Sequence, residues 1–223
     1  PPSKFVIEND IKPSKYTADC YSILNLLCSL GNVKKMYIPK CIDINKGFVE
    51  NQNLYEEEVA KKLKVKPNSE ILEIGSGCGR ISHNISKLTN SKVYGINIDE
   101  NQINDAKNYA LENSSNNIYL FCDLNDQLPF NDNSLDGIYD FGAFTSFISD
   151  YDKVFNELFR VLKPGGRFII SDAVLLDAFD RNNKHHLELI KKARMVMAGG
   201  VFLHYKYFEK FAEKAGFKVI SSK

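Results

Sequence analysis

Residues 71–80, Ile71-Leu72-Glu73-Ile74-Gly75-Ser76-Gly77-Cys78-Gly79-Arg80, constrain the fold more than any other stretch of the sequence. A short apolar run ends in three alternating glycines, and a helical pattern follows. An apolar run of that length, bounded by glycine, reads as a buried strand. Gly75 permits a sharp turn and a positive φ. Gly77 lets a ligand approach the backbone, and Gly79 lets the helix pack close to the strand. Amides at the helix start then face the ligand and favour its negative end. In a dinucleotide loop the third glycine would stand at Arg80, one residue later than here, which disfavours a nicotinamide cofactor. The Gly-Lys-Ser/Thr ending of a triphosphate-binding loop is also absent. The competing reading is a glycine-rich turn that holds no ligand.

Around this loop the pattern alternates. Strands are expected at 70–74, 92–96, 118–121, 135–140 and 167–171, and helices at 52–63, 79–88, 100–112, 151–162 and 207–215. Lys163-Pro164-Gly165-Gly166 reads as a turn, and 217–220 as the opening of one more strand. This rhythm predicts an α/β fold with a doubly wound, mostly parallel sheet and helices on both faces. Residues 174–200 break the rhythm with a polar, partly helical insertion, read as a lid. Residues 1–48 read as a helical head, with Tyr21, Leu24, Leu27 and Cys28 at helical spacing, and 49–223 as the α/β domain. A length of 223 residues suffices for one such core.

Composition narrows the function. Twenty-nine basic residues face 28 acidic ones, for a net charge of +1, and no block of like charge stands out. That argues against a nucleic-acid partner. No apolar run reaches the roughly 18–20 residues that span a bilayer, although contact with a membrane surface stays open. Cys20, Cys28, Cys41, Cys78 and Cys122 are odd in number and irregular in spacing. They form no CxxC pair and no cluster with histidine at zinc spacing, so no metal site is expected. Reduced thiols place the protein in a reducing, cytoplasmic setting. The start at Pro1-Pro2 and the stop inside a strand read as trimmed ends, which leaves a targeting segment open.

Three further positions carry chemistry. About 20 residues past the loop, where a ribose-binding group belongs, stands Asn97-Ile98-Asp99. Asn97 or Asp99 could accept the ribose hydroxyls, and either could cap the helix from Glu100. Asn97 is given the ribose and Asp99 the cap. Asp123 follows the third strand, where its carboxylate could accept an adenine amine or simply form a turn. Asp140 closes the fourth strand. It could hold an amine, stabilise a cation or take a proton, or be a solvated strand-end acid.

Together these residues resemble the class I S-adenosylmethionine (SAM)-dependent methyltransferases, with a Rossmann-like domain, over about 50–220. Leu128-Pro129-Phe130 and Arg160-Val161-Leu162-Lys163-Pro164-Gly165-Gly166 match later motifs of that superfamily. The resemblance implies that Glu73 and the three glycines hold the methionine end, Asn97 the ribose and Asp123 the adenine. The full set expected at the cofactor is Glu73, Gly75, Ser76, Gly77, Gly79, Asn97, Ile98, Gln102, Cys122, Asp123, Leu124, Asp140 and Phe141. A narrower similarity, to the methyltransferases that alkylate carbon in sterol side chains, lies in Gly95-Ile96-Asn97, in Gln102-Ile103 and in the layout from His186 to Phe217. It implies a small, lipophilic acceptor.

Two departures qualify the narrower similarity. The Gly-Trp-Gly of those enzymes is Gly31-Asn32-Val33 here. Their acid and histidine after the fourth strand are Gly142 and Ser146. Asp140 is therefore the expected replacement acid, unless the acceptor differs. Transfer to an alkene would create a cation that aromatic faces can stabilise. Tyr16, Tyr21, Tyr37, Phe141, Phe144 and Phe147 are the candidates, with Tyr37 named alongside Asp140 as catalytic. The competing readings are an O- or N-methyltransferase of a small metabolite, an inactive relative serving as a binding module, an NAD-dependent reductase and a nucleic-acid methyltransferase. The missing basic tract and the Asp140-Phe141-Gly142-Ala143 tetrapeptide argue against the last.

Overall fold

In a computed structural model, which describes residues 35–145, 148–196 and 202–222, five short strands form one sheet. They are β1 (Glu70–Ile74), β2 (Lys92–Asn97), β3 (Ile118–Phe121), β4 (Leu135–Asp140) and β5 (Leu162–Ile169). The order is β3-β2-β1-β4-β5 and every pairing is parallel. The winding reverses between β1 and β4, which opens a crevice at their C-terminal ends. This is the doubly wound α/β fold expected.

The helices are α1 (Phe48–Leu63), α2 (Arg80–Thr89), α3 (Glu100–Glu112), α4 (Tyr151–Val161), α5 (Lys184–Val196) and α6 (Tyr205–Ala215). Alternate strand residues point to opposite faces. Ile71, Val93 and Tyr139 meet Val59, Leu63 and Ile85 of α1 and α2 on one face, and Tyr119 meets Ile103, Ala106 and Ala110 of α3. Leu72, Ile74 and Ile138 meet Val154, Phe155 and Leu158 of α4 and Phe208 of α6 on the other. Each such Val, Leu, Ile or Phe removed from water contributes about 1.5–3 kcal/mol. The helix ends follow local chemistry. Asp99 caps α3 by accepting the N–H of Asn101 at 2.9 Å and of Gln102 at 3.2 Å, as expected of it. Asp150 caps α4 in the same manner through Lys153 N–H.

Several elements differ from the sequence reading. α1 begins at Phe48 rather than 52, because Glu50 Oε2 accepts the Gly47 N–H at 2.9 Å and the Asn51 amide ties residues 42–47 to the helix start. The expected turn at 163–166 lies inside β5. Leu135 pairs with Leu162 and Gly137 with Arg167, so residues 163–166 bulge from a continuous strand, with Gly165 at φ 83°. The expected strand at 217–220 does not form. Its first residue is spent on packing, the Phe217 ring 5.1 Å from Phe159, and no described strand pairs with it.

The head does not stand apart from the domain at its described end. Tyr37 is buried among α1 residues, and Lys35 Nζ lies 2.6 Å from the fully buried Glu56. The helix expected at 16–30 lies outside the described residues. Within the insertion, α5 packs Ile190 on Leu175 and Phe202, and Leu175 bridges His204 at its neck. Among the described residues no helix is long and apolar enough to cross a membrane.

β2 lies tight beneath the glycine loop. A Cβ on Gly95 would stand 2.5 Å from Ser76 Cβ and 2.7 Å from Tyr119 Cδ1. Gly95→Ala is expected to cost about 1–3 kcal/mol through overpacking. Urea denaturation checks it, and an unchanged midpoint would show that the loop has room to move.

Candidate functional site

The loop after β1 is held by short contacts on every side. Gly75 and Ser76 both donate to Ile96 O, at 2.9 and 3.0 Å, and Gly79 donates to Ser76 O at 2.9 Å. The glycines take left-handed φ values of 69°, 50° and 76° at 75, 77 and 79. An added Cβ on Gly75 would meet Ala143 Cβ at 2.2 Å, and one on Gly79 would meet the Tyr119 hydroxyl at 2.6 Å. Gly77 differs: the nearest atom to its missing Cβ is Gln102 Oε1, 3.8 Å away. The amides of Gly77 and Cys78 donate to no described protein acceptor. A strained loop at the start of α2 thus presents free donors beside open space, which suits the negative end of a ligand.

The other cofactor candidates fall along the same edge. Asn97 ends β2, with Nδ2 donating to Gln102 Oε1 at 2.6 Å and Oδ1 accepting Ile98 N–H at 2.8 Å. It remains half-buried, and Ile98 beside it is exposed. Asp123 closes a turn by accepting Asn125 N–H at 2.8 Å and Asn125 Nδ2 at 2.7 Å, both on Oδ1. Its Oδ2 takes no described donor. Cys122 is half-buried, its thiol pushed up by burial, and Leu124 is buried in the core. Phe141 is buried after β4, its ring 4.9 Å from that of Tyr37 and 5.6 Å from that of Tyr55. The strand ends bring these positions together. Tyr16, Tyr21, Ser146 and Phe147 lie outside the described residues.

Three sequence candidates sit in unexpected surroundings. Ser76 is buried facing Gly95, and its hydroxyl has no described partner. Only its backbone joins the loop. Asp140 is not a solvated strand-end acid: it is fully buried and spent on backbone amides. Oδ2 accepts Gly142, Ala143 and Phe144 N–H at 3.1, 3.2 and 3.2 Å, and Oδ1 accepts Ser171 N–H at 2.8 Å. Burial and the neighbouring Asp172 raise it above the usual carboxylate range, and the Ser171, Phe144 and Ala143 amides pull it back. Fully buried and engaged by four amides, it is not the open replacement acid that the sequence suggested. The Tyr37 hydroxyl lies 2.8 Å from Glu56 Oε1 and 2.9 Å from Gln52 O, so only its ring remains free to face a ligand.

Glu73 points down from β1 into the layer under α2, where Ser82 Oγ donates to it. The buried Tyr139 hydroxyl lies next to it, short of hydrogen-bond geometry but close enough to favour the charged form of Glu73. Burial pushes Glu73 up to about 8. Residues that the sequence reading did not single out are Asp172, Tyr55 and Thr145. Asp172 follows β5 and accepts Thr145 N–H at 2.7 Å, and the Tyr55 hydroxyl lies 2.7 Å from Ser171 Oγ. An acid after the fifth strand of a parallel sheet was the available signal for Asp172. A cavity of about 570 Å³ lies at the opposite edge, between Glu70, His83, Lys92 and Asn113. It touches none of these positions.

The raised Glu73 has a consequence for stability. An unfolded glutamate titrates near about 4.3. Between that value and about 8 the folded protein holds a proton that the unfolded one has lost. Its contribution is therefore full at acid pH and falls as pH rises through this window. Glu73→Gln is expected to flatten stability between pH ~5 and ~8 and to raise it at the alkaline end. Denaturation midpoints at the two pH values test this; equal slopes for both proteins would show that Glu73 is ionised throughout.

Comparison with known proteins agrees with this geometry. A family model described as a methyltransferase domain matches residues 65–216. Sterol methyltransferase-like 1 of Botryococcus braunii is 30% identical over 183 residues, covering 80% of this chain and 46% of the relative. The 24-methylenesterol C-methyltransferase 2 of Arabidopsis thaliana is 30% identical over 182 residues, covering 80% and 49%. The chain thus spans about half the length of these curated relatives. Among solved structures, the [4+2]-cyclase SpnF superposes with a TM-score of 0.75 at 19% identity, over 95% of this chain and 75% of that one. On the matched domain, with its glycine loop and parallel sheet, the chain belongs to the methyltransferase-domain family of the class I SAM-dependent superfamily.

Proposed function

We propose that this protein transfers the methyl group of SAM by in-line displacement to a small, lipophilic acceptor of the sterol or isoprenoid kind. One observation carries the donor half. The Gly77 and Cys78 amides stand free over open space at the start of α2, and the ends of β2 and β3 supply Asn97 and Asp123 on the same edge. These residues fit the donor. The two amides would receive the methionine carboxylate, Asn97 a ribose hydroxyl and Asp123 Oδ2 the adenine amine. Ile98 and Leu124 would wall the adenine. The donor brings an activated sulfonium methyl, so the protein's own task is to align the acceptor and exclude water.

The lipophilic acceptor rests on two supports. The curated relatives that match 80% of this sequence are named as sterol methyltransferases. The other is an apolar rim. Tyr55 of α1 reaches Ser171 at the end of β5, whereas Leu63 approaches Gly137 near the start of β4. α1 therefore runs against the strands and projects its first turns past the ligand edge. Ile38, Ile44, Phe48 and Val49 are exposed there. The rings of Tyr37, Tyr55 and Phe141 would form the acceptor wall and could face a developing cation. A small-metabolite O- or N-methyltransferase would use the same donor edge, and the burial of Asp140 keeps an inactive relative in view. The latter is set against by the intact loop.

The test is calorimetric titration with SAM, S-adenosylhomocysteine and NADH. Micromolar binding of the adenosyl ligands and none of NADH is expected. Gly77→Val should abolish binding by filling the open space, and Asp123→Ala should weaken it about ten- to a hundredfold for one charged hydrogen bond lost. Labelled SAM with sterols, isoprenoids and small amines then identifies the acceptor. A folded wild type that binds neither adenosyl ligand would sink the enzyme reading.

A further inference from the structure

Four consecutive amides after β4 point at carboxylates rather than at a ligand. Gly142, Ala143 and Phe144 donate to Asp140, and Thr145 donates to Asp172 Oδ2 at 2.7 Å. The two acids are crossed between strands. Asp140 on β4 also accepts Ser171 N–H after β5, while Asp172 after β5 accepts from the loop that follows β4. Their situations differ. Asp140 is fully buried with four donors, whereas Asp172 is half-buried, with Thr145 N–H and Ala173 N–H as its backbone donors. The held loop bears on the donor loop, since Ala143 Cβ occupies the place that a Cβ on Gly75 would need.

We propose that Asp172 is a positioning residue of the transfer site: through Thr145 it fixes the β4 loop, and through that loop the placement of the glycine loop that receives the donor. The proposal rests on the methyltransferase reading above. Asp172 is the more responsive of the two acids because it keeps solvent contact that Asp140 lacks. The groups that face it are the Asp140 carboxylate beneath and the Tyr151 hydroxyl of α4, with Thr145 in contact. Burial raises Asp172 above the usual carboxylate range, so its charge responds to pH closer to neutrality than that of an exposed aspartate.

S-adenosylhomocysteine is the probe, followed by calorimetry and by the amide resonances of the full-length protein. Asp172→Ala is expected to weaken S-adenosylhomocysteine about tenfold and to shift the Thr145, Ala143 and Gly75 amides. Asp172→Asn keeps one acceptor oxygen for Thr145. It is expected to restore most of the affinity while abolishing the pH-dependent shift of the Thr145 amide that is expected of wild type. A purely structural role would move stability in both variants and leave that titration behind. Wild-type binding that Asp172→Ala leaves unchanged would overturn the proposal alone. Wild type that binds no S-adenosylhomocysteine would overturn the methyltransferase reading and this proposal with it. Should Asp172→Ala fail to fold, a wild-type Thr145 amide that does not titrate, or titrates equally in Asp172→Asn, would overturn it.

Discussion

The glycine loop is clamped by three approaches that a Cβ would forbid: Gly75 against Ala143, Gly79 against Tyr119 and Gly95 against Ser76. Each joins a different part of the sheet. The first ties β1 to the loop after β4, the second ties the start of α2 to β3, and the third seats the loop on β2. The Tyr119 hydroxyl adds a hydrogen bond to Gly79 O at 3.2 Å. Held in this way, the loop cannot turn the Gly77 and Cys78 amides inward to find protein acceptors. Preorganised donors of this kind lower the ordering cost of binding. The ligand edge is therefore a by-product of close packing among backbone segments, and its precision is that of the sheet.

Acids show how much context adds to a residue type. Glu73, Asp140 and Asp172 all lie at or near strand ends, and a sequence reads them alike. Glu73 is buried against Ser82 with the Tyr139 hydroxyl beside it, and burial pushes it up to about 8. Asp140 is neutralised by donors rather than by a cation, with four amides converging on two oxygens. Asp172 shares the same loop but keeps solvent contact. An uncompensated buried carboxylate is costly, so most of the spare amides near β4 go to the deepest one. What separates the three is the number of amides the following loop aims at each, and that depends on loop geometry, not on residue identity.

The legible parts of the sequence were those governed by short-range rules. Buried parallel strands are short apolar runs, and β1, β3 and β4 begin and end where the residues placed them. Asp99 caps α3 because the cap needs only residues two and three positions on. Errors arose where a local rule met a long-range partner. Pro164-Gly165-Gly166 has the chemistry of a turn, but ladder bonds to β4 on either side absorb it as a bulge. Phe217 to Ile220 has strand-like character, yet the Phe159 ring claims Phe217 before a ladder forms. Asn97 sits at the expected place, but its amide is drawn toward Gln102 by a residue one helical turn into α3.

The same division separates the two halves of the site. The proposed donor edge would use residues at fixed offsets from β1, β2 and β3, so its chemistry is legible as a sequence motif. The proposed acceptor side would draw on residues near 37–55, 141–145 and 172, held by bonds such as Tyr55 to Ser171 and Thr145 to Asp172. Each such bond contributes about 0.5–1.5 kcal/mol, or up to ~3 kcal/mol when charged, against a sheet held by many cooperating contacts. A substitution on the acceptor side can therefore reshape that wall at modest cost while the donor edge stays intact. This is why a shared fold carries the donor from protein to protein but leaves the acceptor to be decided by the local wall. In this protein the proposed wall would be aromatic, with exposed apolar residues at and before the start of α1, and the acid nearest solvent would be Asp172 rather than Asp140.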